Sequence, residues 1–426
     1  MIDLKDLRER KEVYKKNNKK KNISEKIVDQ VLKLDEHWRG FRLKADKLRH
    51  ERNKISGEIN EAKKSGEGEL AKKLIVKAKK IPGRMKNLEA SEKKTLKDLN
   101  KSLRKIPNLM HPKVPKGYGD KENVVEKIYG KPKKKNFKVK SHVEIAENLG
   151  IVNFEDASRV SGNGFYYLEG DLALLNQALI NYARDFMVKK GFTYVETPLM
   201  LKEEIIDQVT DLNDKKNQIY LMKDTDLALI GTSEHSLIGR FAGQEINEKK
   251  LPIKHVSYSM CFRKEIGSHG IDEKGLFRTH QFNKIEMIVV CRPEESEKFF
   301  EEMKRISVDL CKNLGIPIRV LRICSGDLGD LKHEQIDIEA YSPRKKDYFE
   351  VGSCSNLTDA QARKLGISTR IKGQRIIPHT LNNTALATSR IMVAILENFQ
   401  NKDGSVTIPR VLQKYMGKKK IIKSKV

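Results

Sequence analysis

The chain has 426 residues, 38% apolar and 34% charged, which is room for two or three domains with a sizeable core. No apolar run approaches the ~20 residues of a membrane span, and Met1-Ile2-Asp3-Leu4 lacks the hydrophobic stretch of a signal peptide. The 85 Lys and Arg outnumber the 58 Asp and Glu by 27, so a polyanionic partner is expected, nucleic acid first.

The five cysteines are scattered without a Cys-x-x-Cys pair. That argues against a disulfide framework and a structural zinc site, and no zinc is expected; a reducing cytoplasm is the simplest home. The basic excess is uneven. Residues 1–110 hold 33 Lys and Arg against 17 Asp and Glu, a net +16, and the other 316 residues hold the remaining +11. A generally basic proteome is the bland alternative.

Residues 1–23 read as a short lysine-rich lead-in with little apolar content. From Ser24, with Glu25 a plausible N-cap region, a seam of threes and fours begins: Val31, Leu34, Trp38, Phe41, Ala45, Leu48, Arg52, Ile55, Ile59. Lys64-Ser65-Gly66-Glu67-Gly68 reads as a turn. A second seam follows through Leu74, Ala78, Ile81, Met85, Leu88, Leu96, Leu99, Leu103 and Ile106. Together they predict an antiparallel helical hairpin over about 24–106, with arms roughly 50–60 Å long at ~1.5 Å per residue. Pro82-Gly83 falls inside the second seam and predicts a kink or a short break. A basic coiled coil of this kind serves either dimerisation or nucleic-acid binding; the pattern alone does not choose. Residues 111–140 are linker-like in composition, rich in Pro, Gly and Lys.

From 141 to 426 helical and strand patterns mix. Leu172 to Lys190 is an amphipathic helix running into Gly191-Phe192-Thr193-Tyr194-Val195-Glu196-Thr197-Pro198. Thr232-Ser233-Glu234 follows an apolar strand; a helix N-cap would explain it equally. Next come two short strands around a charged, glycine-bearing loop: Cys261-Phe262-Arg263-Lys264-Glu265, then Gly267, Gly270, Gly275 and Arg278-Thr279-His280-Gln281-Phe282-Asn283-Lys284-Ile285-Glu286. Strand period two would put Arg278, His280, Phe282, Lys284 and Glu286 on one face. Guanidinium forks, an aromatic plate and carboxylates suit a nucleotide better than a core; a charged surface hairpin is the competing reading. Tyr348 to Asn356 is strand-like and offers Glu350 and Ser353 as hard oxygens for Mg²⁺ beside Val351 and Gly352. Leu381-Asn382-Asn383-Thr384 leads into an apolar helix bearing Arg390, costly to bury unless it meets an anion. Gly404 to Pro409 reads as a last strand before a basic tail from Lys414.

The three segments around Gly191, Arg263–Glu286 and Arg390 resemble, in order, motifs 1, 2 and 3 of the class II aminoacyl-tRNA synthetases. The wording of the second resembles the seryl-tRNA synthetases, and threonine at 384 their archaeal or eukaryotic variant. The resemblance implies an α+β fold, an antiparallel sheet flanked by helices, with residues 1–110 a tRNA-binding domain and 141–426 catalytic. It implies ATP-dependent serylation of tRNA(Ser), and of tRNA(Sec) where present, by a cytoplasmic homodimer joined through motif 1. On it Arg263, Glu265 and Arg390 are catalytic. Thr232, Ser233, Glu234, Arg263, Glu286, Asn382 and Thr384 bind serine. ATP falls to Arg263, Lys264, Glu265, Arg278, Thr279, Phe282, Glu350, Val351, Gly352, Ser353 and Arg390, with Mg²⁺ on Glu350 and Ser353. A paralogue that activates an amino acid for a carrier protein usually lacks the long arm, and a non-catalytic RNA-binding homologue should have lost motif arginines. The zinc-dependent seryl subtype uses a cysteine ligand and a different N-terminal domain.

Overall fold

The computed structural model describes residues 2–210, 212–266 and 275–424; Gly267 and Gly270 of the expected loop lie outside them. The chain divides into two units, Met1–Pro107 and Asn108–Val426.

In the first unit the lysine-rich lead-in is helical. Helix α1 (Leu4–Glu9) starts at Asp3, whose carboxylate accepts from the backbone N–H groups of Lys5 and Asp6. Helix α2 is Lys11–Lys20. Leu7 and Tyr14, seven residues apart, are buried, and both helices pack on the next, α3 (Lys26–Lys64). Asp35 of α3 is fully buried and accepts from Arg8 at 2.9 Å and Arg39 at 3.0 Å, an ion-paired clasp that heptad spacing does not reveal. The N-cap of α3 is Glu25, without a side-chain capping bond. With 39 residues α3 is ~58 Å long.

Two helices return along it, α4 (Gly68–Lys79) and α5 (Ile81–Leu103). The break between them falls on Lys80, and Pro82 occupies the first turn of α5, where its missing N–H costs nothing. Leu48, Ile55 and Ile81 form the buried seam, flanked by Ile59, Leu74, Ala78 and Leu88. Arg52 and Leu96, both assigned to seams, are exposed instead.

The second unit is built on an eight-stranded sheet. In chain order its strands are β1 (Val124–Tyr129), β2 (Thr193–Tyr194), β3 (Ile253–Phe262), β4 (Gln281–Cys291), β5 (Ile318–Arg322), β6 (Glu334–Ser342), β7 (Asp347–Thr358) and β8 (His379–Ala387). Their spatial order is β1-β5-β6-β7-β8-β4-β3-β2, antiparallel except for the β2–β3 edge. β1 corrects the linker reading of 111–140: it pairs with β5 from Val124↔Arg322 to Tyr129↔Ile318. An edge strand exposed on both faces shows no alternation, so composition hid it.

Helices α6 (Gly170–Lys189), α8 (Ser296–Asn313) and α10 (Thr388–Asn398) cover one face of the sheet. Leu172, Phe300, Met303, Leu381 and Ile391 share that core. Between α6 and α8 in sequence, α7 (Ser233–Gly239) follows the short strand Leu227–Leu229. Near the carboxyl end, Val406–Thr407 pairs with Ile421–Ile422, and Lys419 of the basic tail holds Asp171 at 2.6 Å.

Two irregularities in the sheet aim side chains at its other face. Opposite β6, the pairing jumps from Ile338↔Gly352 to Glu339↔Glu350, so β7 carries an extra residue there. Strict alternation would send Glu350 and Ser353 to opposite faces; the bulge lets them share one. On β8 the pairing jumps from Thr384↔Glu286 to Leu386↔Ile285, a second extra residue beside the same region.

Candidate active site

The open face of the sheet forms two adjoining clefts, both lined by Arg263, Lys284, Glu350 and Thr384. The first, about 560 Å³, is also lined by Glu265, Phe277, Arg278, Thr279, Phe282, Val351, Gly352, Ser389 and Arg390. The Arg263 guanidinium lies 5.2 Å from the Phe282 ring centroid, and Arg390 lies 5.1 Å from that of Phe277. Arg263 Nε also donates to the Gly231 carbonyl at 3.1 Å, which fixes its direction. Arg390 Nη1 donates to the Glu350 carboxylate and carbonyl, each at 2.9 Å. Arg278 and Glu265 approach to 3.5 Å. Glu265 has φ +49°, a left-handed backbone uncommon for a residue with a side chain. A Cβ on Gly352 would stand 3.2 Å from the Thr384 carbonyl, so the strands approach closely at the cleft floor.

The second cleft is lined by Thr232, Glu234, His235, Glu286, Lys332, Gln335, Ser353, Ser355 and Asn382, among others. Lys284 and Glu286 form a buried ion pair at 2.6 Å, and Thr384 Oγ1 donates to Glu286 Oε2 at 3.2 Å. Glu234 Oε1 accepts from Asn382 Nδ2 at 2.8 Å. Burial, then the charge of Glu286, push the Glu234 carboxyl up to about 7. Burial and the nearby Arg263 and Lys284 hold the His235 imidazole down to about 3, so it is neutral.

At the junction of the clefts burial raises the Glu350 carboxyl, but Arg390 overrides it and keeps the group below its usual range. On the adjacent strand Asp337 is pushed up by burial and by the charge of Glu350. Two carboxyl groups, Glu350 and Asp337, thus lie close together beside Ser353. Among the described residues no cluster of three or more His, Cys, Asp and Glu is arranged to hold a metal, and the five cysteines are buried thiols. No helix of the described residues is long and apolar enough to cross a membrane.

Fifteen of the seventeen residues singled out in the sequence line one cleft or the other. Ser233 and Lys264 do not. Thr232 is the N-cap of α7, accepting from the Glu234 N–H. The next side chain, Ser233, therefore turns inward, and its hydroxyl donates to the Ser257 carbonyl. Lys264 lies 6.0 Å from the Tyr220 ring centroid. The shared-face expectation holds for Phe282, Lys284 and Glu286, but β4 begins only at Gln281. His280 precedes the strand, with Nδ1 2.9 Å from the Arg263 carbonyl. Sequence reasoning placed Lys284 on the face without giving it a site role, and missed Lys332, Gln335 and Phe277. Lys284 had a signal, its two-residue spacing from Phe282 and Glu286; the other three had none.

Comparison with known proteins adds an independent line. Residues 1–110 match the family described as Seryl-tRNA synthetase N-terminal domain, and residues 218–399 match the tRNA synthetase class II core domain (G, H, P, S and T). A serine–tRNA ligase of Methanocella arvoryzae is 43% identical over 98% of this chain and 99% of its own length. One from Pyrococcus horikoshii is 41% identical over 99% and 98%. The crystal structure of seryl-tRNA synthetase from Pyrococcus horikoshii complexed with ATP superposes with a TM-score of 0.94 at 41% identity, covering 100% of both chains. The Naegleria fowleri cytoplasmic enzyme in complex with AMP gives 0.87 at 34% identity, over 97% and 96%. A Giardia lamblia prolyl-tRNA synthetase, 15% identical with a TM-score of 0.57, shares the fold alone.

Proposed function

This chain belongs to the seryl-tRNA synthetase family of class II aminoacyl-tRNA synthetases, and from that premise we propose how its two clefts divide the work. The enzyme binds ATP and ligates L-serine to tRNA(Ser) through a seryl adenylate. The first cleft receives ATP and the second serine, with Arg263 between them. The carboxylate of serine attacks the α-phosphorus in line and pyrophosphate leaves. Little covalent help is needed; positioning and charge neutralisation carry the step.

Arg263 bridges the serine carboxylate and the α-phosphate. Phe282 stacks under adenine, Glu265 accepts from its amino group, and Arg278 and Arg390 hold the outer phosphates. Glu234 takes the α-ammonium, and Glu286 with Thr384 takes the hydroxyl. A site that hydrogen-bonds the hydroxyl rejects alanine, because its own polar groups would be left unpaired. Mg²⁺, when bound, supplies charge neutralisation at the phosphates. Glu350 and Ser353 would hold it: they are hard oxygens brought to one face by the β7 bulge, with the Asp337 carboxyl close by.

The reading extends further on family grounds. The N-terminal hairpin grips the tRNA, tRNA(Sec) is a second acceptor where the host makes one, and the enzyme works in the cytoplasm. Two copies join through α6 and β2, a pairing supported by Leu174 and Val188 exposed on α6. The single observation that carries the catalytic reading is that Arg263, Phe282, Glu350 and Arg390 line one cleft. ATP–pyrophosphate exchange measured with each amino acid tests it. Serine alone should support exchange, and Arg263→Ala should abolish it. Exchange with alanine or glycine but not serine would overturn the reading.

A further inference from the structure

Behind the amino-acid cleft lies a buried relay outside the segments that first marked the site. β7 ends at Thr358, whose φ of +49° turns the chain into α9 (Ala360–Lys364). That turn delivers Gln361, 2% exposed, to the back of Glu234. Gln361 Nε2 donates to Glu234 Oε1 at 2.9 Å. Gln361 Oε1 accepts the Thr380 hydroxyl at 2.9 Å. An ionised carboxylate only accepts, so Glu234 takes the N–H₂ end of the amide, and the Thr380 hydroxyl donates to the oxygen at the other end. Asn382 donates to the same carboxylate oxygen. Both bonds converge on Oε1; among the described residues none is made to Oε2, which is left for a ligand in the cleft that Glu234 lines.

We propose that Gln361, anchored at its far end by Thr380, is a positioning residue for serine recognition: it holds the Glu234 carboxylate ready to receive the substrate's α-ammonium. The proposal rests on the reading of the second cleft as the serine site. Its logic is electrostatic as well as geometric. Glu234 faces Glu286 and Lys284 from β4 and Lys332 from the segment before β6, with His235 beside it on α7. Burial and Glu286 disfavour its charge; the Gln361 bond, Lys284 and Lys332 favour it. Loss of the Gln361 donor removes the largest of the favourable influences. A hydrogen bond to a charged acceptor is among the stronger kinds, so its loss should weaken serine binding roughly tenfold to a hundredfold.

The test is steady-state pyrophosphate exchange with Gln361→Leu and Thr380→Val in the full-length chain. Gln361→Leu should raise KM for serine roughly tenfold to a hundredfold, leave KM for ATP unchanged, and move the acid limb of kcat/KM for serine to higher pH. Thr380→Val, which removes the donor to the amide oxygen and loosens Gln361, should shift both quantities the same way by less. Should Gln361→Leu fail to fold, Thr380→Val decides. A fall in kcat with serine KM and acid limb unmoved marks a merely structural role and overturns the proposal, as does no change at all. Absence of serine-dependent exchange in the parent enzyme would instead sink the reading of the cleft.

Discussion

Glu234 shows the conflict between function and stability at the scale of one residue. Its carboxyl titrates at about 7 in the folded chain, above the ordinary value, so the folded state holds that proton more tightly than the unfolded state. The stability this contributes is fully present below the ordinary carboxyl range, declines as pH rises from there, and is gone above 7. An ionised Glu234 is nonetheless what an ammonium needs. Glu234→Gln keeps an oxygen to accept from Asn382 and never carries the charge. Its melting temperature should therefore exceed the parent's by more at pH 8 than at pH 5, with serine-dependent exchange lost at both. Thermal unfolding at the two pH values checks this; an equal difference at both would show that the charge of Glu234 is not what strains the fold.

Elements explain why some residues of the site were legible in the sequence and others were not. Phe282, Lys284 and Glu286 stand two apart on one strand, so period two places them together before any coordinates are known. Glu350 and Ser353 stand three apart and meet on one face only because β7 carries a bulge, which no local spacing announces. Lys332, Gln335 and Gln361 reach the site through the pairing of β6 with β7 and the turn after Thr358, contacts between segments that a linear reading treats separately. The arm was legible for the opposite reason, since its contacts repeat. There the pattern failed only at Arg52 and Leu96, and at Asp35, where an ion pair replaces an apolar contact. Ile55 is 2% exposed in the three-residue core with Leu48 and Ile81. Ile55→Ala should cost about 2–4 kcal/mol of arm stability, read as an earlier denaturation midpoint of the helical signal. Exchange with serine should stay at the parent rate, because every residue lining the two clefts lies between Val209 and Arg390.

At the scale of the whole molecule, charge and chemistry are separated along the chain. The first 110 residues hold +16 of the net +27, while the clefts lie wholly within the second unit. Adenylation involves only small ligands, so it should not need the arm. Transfer to tRNA involves a polyanion, whose binding to lysines and arginines releases counterions and weakens steeply with salt. Removal of residues 27–105 should therefore leave pyrophosphate exchange near the parent rate and abolish charging of tRNA(Ser). In the intact enzyme KM for tRNA should climb as a power of salt concentration, while KM for serine in exchange stays nearly flat, because buried pairs such as Lys284–Glu286 are little screened. Aminoacylation and exchange assays across 50–300 mM salt measure both slopes. Charging that survives the deletion, or a KM for tRNA that stays as flat with salt as that for serine, would mean that the basic arm is not the surface that meets the nucleic acid.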